Sequence, residues 1–126
     1  MMLDSHVSVL KLKGILFVTV PAEPGDDLIN HLQQSILESM EQHEAKGLIL
    51  DISTVSALDS FFARTIVETA QMVALMGGRT VISGMRPEVA ITATQLGLSL
   101  GNILTALNMD RALDKLEGLQ TEGWAK

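Results

Sequence analysis

Apolar residues change their spacing several times along this chain, and each change marks a new element. From Val7 to Val20 they are crowded and β-branched, interrupted by Lys13-Gly14, where glycine tolerates the positive φ of a tight reversal. The pattern predicts a two-stranded hairpin. Pro21 and the Pro24-Gly25 pair then stop the strand. Leu28, Ile29, Leu32, Ile36, Leu37 and Met40 follow at helical spacing, while Asn30, Gln33, Gln34, Glu38, Glu41 and Gln42 fall mostly elsewhere. This predicts an amphipathic helix capped by Asp26 or Asp27 and closed by Gly47.

Leu48 to Ile52 is a short continuous apolar run broken only by Asp51, the pattern of a central strand covered on at least one face. Ser53 to Asp59 reads as a loop. A second helix is expected from Ser60 to about Met76, with Phe62, Ile66, Ala70 and Val73 in register and Gly77-Gly78 at its end. Thr80 to Ser83 is the next strand, and Gly84-Met85-Arg86-Pro87 breaks the chain, with Pro87 opening a third helix that runs through Leu96 to a stop at Gly97. A short strand near Ile103 to Thr105 and a helix from about Asp110 to Leu116 complete the pattern, and residues beyond Gly118 are expected as a frayed tail. The order β-β-α-β-α-β-α-β-α predicts an α/β fold. Its sheet is mixed but mostly parallel, with about five strands and about four helices in a single domain over residues 1–126.

Composition narrows the function. The net charge is −6 and only Phe17, Phe61, Phe62 and Trp124 are aromatic, so the chain lacks both the positive surface that binds phosphates and a stacking platform for bases. No nucleic-acid partner is expected. The apolar fraction is 47 %, yet no apolar run approaches the length of a membrane span, and the N-terminus lacks the features of a secretory signal. Without cysteine there is no disulfide framework, and a cytoplasmic location is expected. So apolar a chain either fills one core efficiently or keeps apolar surface for self-association.

Candidate chemistry concentrates just beyond the Leu48 to Ile52 strand. Ser60 opens a helix, where a phosphoryl group would meet unpaired backbone amides and the positive end of the helix dipole. A phosphoserine there would add roughly −1.5 to −2 charge units beside Asp59. Arg64, one turn on, is placed to reach back toward it. Serine caps are common, so the residues alone leave Ser60 equally readable as a plain cap. Asp51 and Asp59 invite comparison with an acid/base pair, but no nucleophile or metal motif accompanies them. The plainer expectation is that Asp51 holds the loop backbone and Asp59 caps the helix or orients Ser60. His6, His31 and His43 are scattered without ligand spacing, and no metal or cofactor is expected. Met72, Met76, Met85 and Met109 are expected as core filling, with Met76 and Met85 as alternatives for an interface.

The run from Leu48 through Asp51 to Leu58-Asp59-Ser60 resembles the signature of the STAS family of anti-sigma-factor antagonists: a strand ending in Asp, a loop, then Asp-Ser opening a helix. Leu75-Met76-Gly77-Gly78, Gly84-Met85-Arg86-Pro87-Glu88-Val89-Ala90 and Leu96-Gly97 extend the likeness, toward the stressosome-scaffold branch typified by RsbS more than toward the sporulation antagonist SpoIIAA. The resemblance covers about residues 7 to 117. It implies a STAS fold, no catalysis, and phosphorylation of Ser60 by an RsbT-like serine kinase that the scaffold holds and then releases, with an RsbX-like phosphatase to reset it. It implies RsbR-like paralogues as partners in homo- and hetero-oligomers. Thr92 and Thr94 are candidates for a second acceptor, and Asp51, Asp59 and Arg64 are expected to support the site. Two alternatives stand beside this: a stand-alone antagonist that binds an anti-sigma kinase directly, and a nucleotide- or small-ligand-binding module that uses the same helix start.

Overall fold

The computed structural model describes residues 8–99 and 103–121. Its elements are β1 (Ser8–Leu12), β2 (Ile15–Thr19), α1 (Asp26–His43), β3 (Gly47–Asp51), α2 (Ser60–Leu75), β4 (Arg79–Ser83), α3 (Pro87–Gln95), β5 (Leu104–Ala106) and α4 (Met109–Thr121). The strands lie side by side in chain order. β1 is antiparallel to β2, and every later pair is parallel. Lys13 and Gly14 carry the hairpin turn with φ of 56° and 78°, the left-handed pair whose twist matches that of the flanking strands.

Stepping one strand over at each crossover, always in the same direction, places α1, α2 and α3 on one face of the sheet, because such crossovers are right-handed. Alternate strand residues therefore serve two cores. Leu16, Val18, Leu48, Leu50 and Ile82 pack with Ile29, Ile36, Phe62, Ile66, Val73 and Val89 of the three helices. Ile15, Ile49 and Val81 face the other way, against Ala112 and Leu116 of α4. β3, buried on both faces, is the apolar run expected of a central parallel strand.

Three local expectations change. Neither Asp26 nor Asp27 caps α1: the cap position is Gly25, and both carboxylates fall inside the first turn, where they meet the helix dipole rather than an amide. Gly47 does not close that helix either. Glu44 takes the left-handed position at φ 50°, while Gly47 begins β3, where an added Cβ would lie 3.0 Å from a Leu116 methyl. The tail expected beyond Gly118 begins later, because α4 continues to Thr121; residues 122–126 lie outside the described residues. At Gly77-Gly78 the expected helix stop is present: the Gly78 amide donates to Val73 O and the Gly77 amide to Ala74 O. Met85 and Met109 pack against the two cores, whereas Met72 and Met76 are exposed.

Candidate functional site

The C-terminal ends of β2 to β5 meet at one edge of the molecule, and the loop from β3 to α2 lies there. Its first residue, Ile52, donates its amide to Ser83 O at 3.0 Å. Asp51 is half-buried, and its carboxylate gathers three donors: Oδ1 accepts the Ser53 amide at 3.3 Å and the Ser83 hydroxyl at 3.1 Å, and Oδ2 accepts the Ser53 hydroxyl at 3.1 Å. Asp51 is thus the tie expected of it, and it reaches across to β4 as well. Thr54 donates its hydroxyl to Val20 O at 2.9 Å, and Val55 and Leu58 are buried beneath the loop. The segment is pinned by polar bonds above and apolar anchors below.

At the far end of the loop, Asp59 is extended, with φ −102° and ψ 174°, and its carboxylate accepts the Phe62 amide at 2.8 Å. It caps α2, as the residue type favours. Ser60 is the first helical residue and is exposed, while Phe62, two positions on, is buried and anchors the helix start in the core. The first turn of α2 contains no acidic residue. By contrast, α1 has Asp26 and Asp27 there, α3 has Glu88 and α4 has Asp110. Each helix start is electropositive, and in α2 only the capping carboxylate answers it.

The remaining candidates are distributed as follows. Arg64 is exposed, and its guanidinium lies over the Phe61 ring, 5.8 Å from the centroid, engaged with that ring one turn below the helix start. Thr92 and Thr94 sit well inside α3, where each hydroxyl donates to the carbonyl four residues back, Glu88 O and Ala90 O. Asp51 and Asp59 bond different partners at opposite ends of the loop. Beside Asp59 lies an open cleft of about 340 Å³, with Pro24, Ala57, Leu58 and Phe62 as its apolar lining and Glu23 and Asp59 as its acidic members.

Four residues of this edge escaped the sequence reading: Ser53, Ser83, Gly84 and Arg86. Gly84 has φ 77°, and an added Cβ would lie 2.8 Å from Ser53 Cβ and 2.9 Å from Asp51 Oδ1. Arg86 donates Nε–H to Ser53 O at 2.8 Å. The signal was the parallel register, which pairs Asp51 with Ser83 and brings both loop starts together.

Comparison with known proteins agrees with this geometry. The family model described as the STAS domain matches residues 6–112. The chain is 33 % identical over 81 residues to the RsbT co-antagonist protein RsbRB of Bacillus subtilis, covering 64 % of this chain but only 29 % of that protein. It therefore spans less than a third of the length of that curated relative. Among solved structures it is similar to Moorella thermoacetica RsbS carrying a serine-to-glutamate substitution, at 34 % identity and a TM-score of 0.82, covering 91 % of this chain and 97 % of that one. A chain from the molecular architecture of the stressosome, a signal integration and transduction hub, matches at 34 % identity and a TM-score of 0.79, with 90 % and 98 % covered. No helix among the described residues is long and apolar enough to cross a membrane. By its sequence match, its strand order and the Asp-Ser helix start after β3, the chain belongs to the STAS domain family and is related to the RsbS and RsbR proteins.

Proposed function

We propose that this chain is a non-catalytic scaffold of a stress-signalling assembly, and that it holds an RsbT-like serine kinase until Ser60 is phosphorylated. The observation that carries the reading is Ser60 itself: an exposed hydroxyl on the first residue of α2, beside the capping Asp59, in the one helix start whose first turn lacks an acid among the four. A phosphoryl group there meets a positive helix end and has open space around it. A partner that had covered a neutral hydroxyl would instead face roughly −1.5 to −2 charge units, adjacent to the Asp59 carboxylate. Desolvating that charge opposes docking, and the partner leaves.

The similarity to RsbRB and to a stressosome chain supports assembly with RsbR-like paralogues, and an RsbX-like phosphatase would restore the hydroxyl. The cleft between Pro24 and Phe62 adjoins the acceptor and offers a docking kinase an apolar foothold. Arg64, held over Phe61, is one turn away and can swing toward a phosphate without disturbing the core. Thr92 and Thr94 are weaker acceptors, because each hydroxyl is already bonded to its own helix.

The test is phosphosite mapping of the chain co-purified with its native kinase. Ser60→Ala should abolish labelling and keep assembly, and Ser60→Asp should weaken kinase retention. Undiminished phosphate incorporation in Ser60→Ala would show that the acceptor lies elsewhere.

A further inference from the structure

The β3–α2 loop is held by a neighbour that the proposed switch does not use. Arg86 is the residue before α3, and it reaches sideways, so that its Nε–H meets Ser53 O at 2.8 Å. Ser53 is simultaneously held by Asp51, through both its amide and its hydroxyl, and Asp51 is held in turn by the buried Ser83 hydroxyl. Gly84 closes the arrangement. Its positive φ and missing side chain let the β4–α3 turn lie directly against Ser53 and Asp51. The turn after one strand and the loop after the next are thereby clasped at a single residue.

We propose that Arg86 is a positioning residue for the Ser60 site: its bond to Ser53 O fixes the β3–α2 loop, and with it the presentation of the helix start that carries Ser60. This rests on reading Ser60 as the acceptor. Seven residues separate Ser53 from Ser60, and the loop between them is otherwise tied by Thr54 to Val20 O and by the buried Val55 and Leu58. Arg86 is the tie that comes from α3, so the clasp also couples the position of α3 to the acceptor loop. The ion pair between Arg86 and Glu88, at 3.8 Å, uses Nη1 and leaves Nε free to serve Ser53.

Amide hydrogen exchange on the full chain, with the Ser53, Val55 and Phe62 amides as reporters, tests the clasp without any kinase. A charge-assisted hydrogen bond of this kind is worth about a tenfold change in local opening, so Arg86→Ala should speed those amides about tenfold and leave β3 and β4 unchanged. Arg86→Lys should restore most of the protection. Gly84→Ala, which pushes the turn off Ser53 with Arg86 intact, should loosen the same amides. With a kinase that labels wild-type Ser60, Arg86→Ala should lower kcat/KM for the protein substrate while KM for ATP stays constant. Exchange within twofold of wild type at all three amides, or acceleration spread evenly over the sheet, would overturn the assignment. So would unaltered kcat/KM in a variant whose loop has loosened. If no kinase labels wild-type Ser60, the functional reading fails, and the exchange result still decides the clasp.

Discussion

The starts of α1 and α2 lie at the same end of the sheet and are built differently. α1 begins at Gly25 with no side-chain cap, and Asp26 and Asp27 fill its first turn with negative charge. α2 begins at Asp59, whose carboxylate is bonded to the Phe62 amide, and its first turn carries Ser60 and no acid. In α1 the charge is permanent and the backbone is left to water; in α2 the backbone is satisfied and the charge can still be added. A covalent switch needs the second design, because the helix must already be stable before the phosphoryl group arrives.

Four measurements probe this contrast, here in descending size. Phe62→Ala removes the buried side chain that anchors the start of α2, and urea unfolding should show a loss of about 3–5 kcal/mol. A much smaller loss would mean that the helix start is held by its loop alone. Asp51→Ala leaves the buried Ser83 hydroxyl without its acceptor, and about 1–3 kcal/mol should be lost by the same measurement. Its exchange pattern should show loosening at Ser53 before Asp59. Asp59→Ala should cost about 1 kcal/mol by removing the cap, with the fraying confined to the first turn in amide exchange. The finest distinction comes from charge alone. Asp27→Asn should cost about 0.3–1 kcal/mol at low ionic strength, whereas Ser60→Asp should leave thermal stability near wild type or slightly above it. Marked destabilisation by Ser60→Asp would show that α2 cannot accommodate negative charge, and the contrast between the two starts would collapse.

The same division runs through the surface. The face covered by α1, α2 and α3 holds the larger core, and α4 alone covers the other. One helix is about 10–12 Å wide and strands are about 4.8 Å apart, so α4 cannot cover all five strands. Leu10 and Leu12 of the edge strand β1 remain exposed, which agrees with the sequence-level expectation of apolar surface left over for association.

What sequence alone determined is local and periodic. The hairpin turn at Lys13-Gly14, the helical stripe from Leu28 to Met40, the β3 run and the Asp59-Ser60 helix start all follow from residue types a few positions apart, where propensity and capping chemistry act directly. It misplaced the α1 cap and the role of Gly47, because several polar or glycine residues near a helix end compete, and only the packed backbone selects among them. Tertiary structure alone decided the clasp of Asp51, Ser53, Ser83, Gly84 and Arg86. Those residues are spread over 36 positions of sequence, from 51 to 86, and meet because β3 and β4 pair in parallel with Asp51 opposite Ser83. No periodicity encodes such a meeting; strand register creates it.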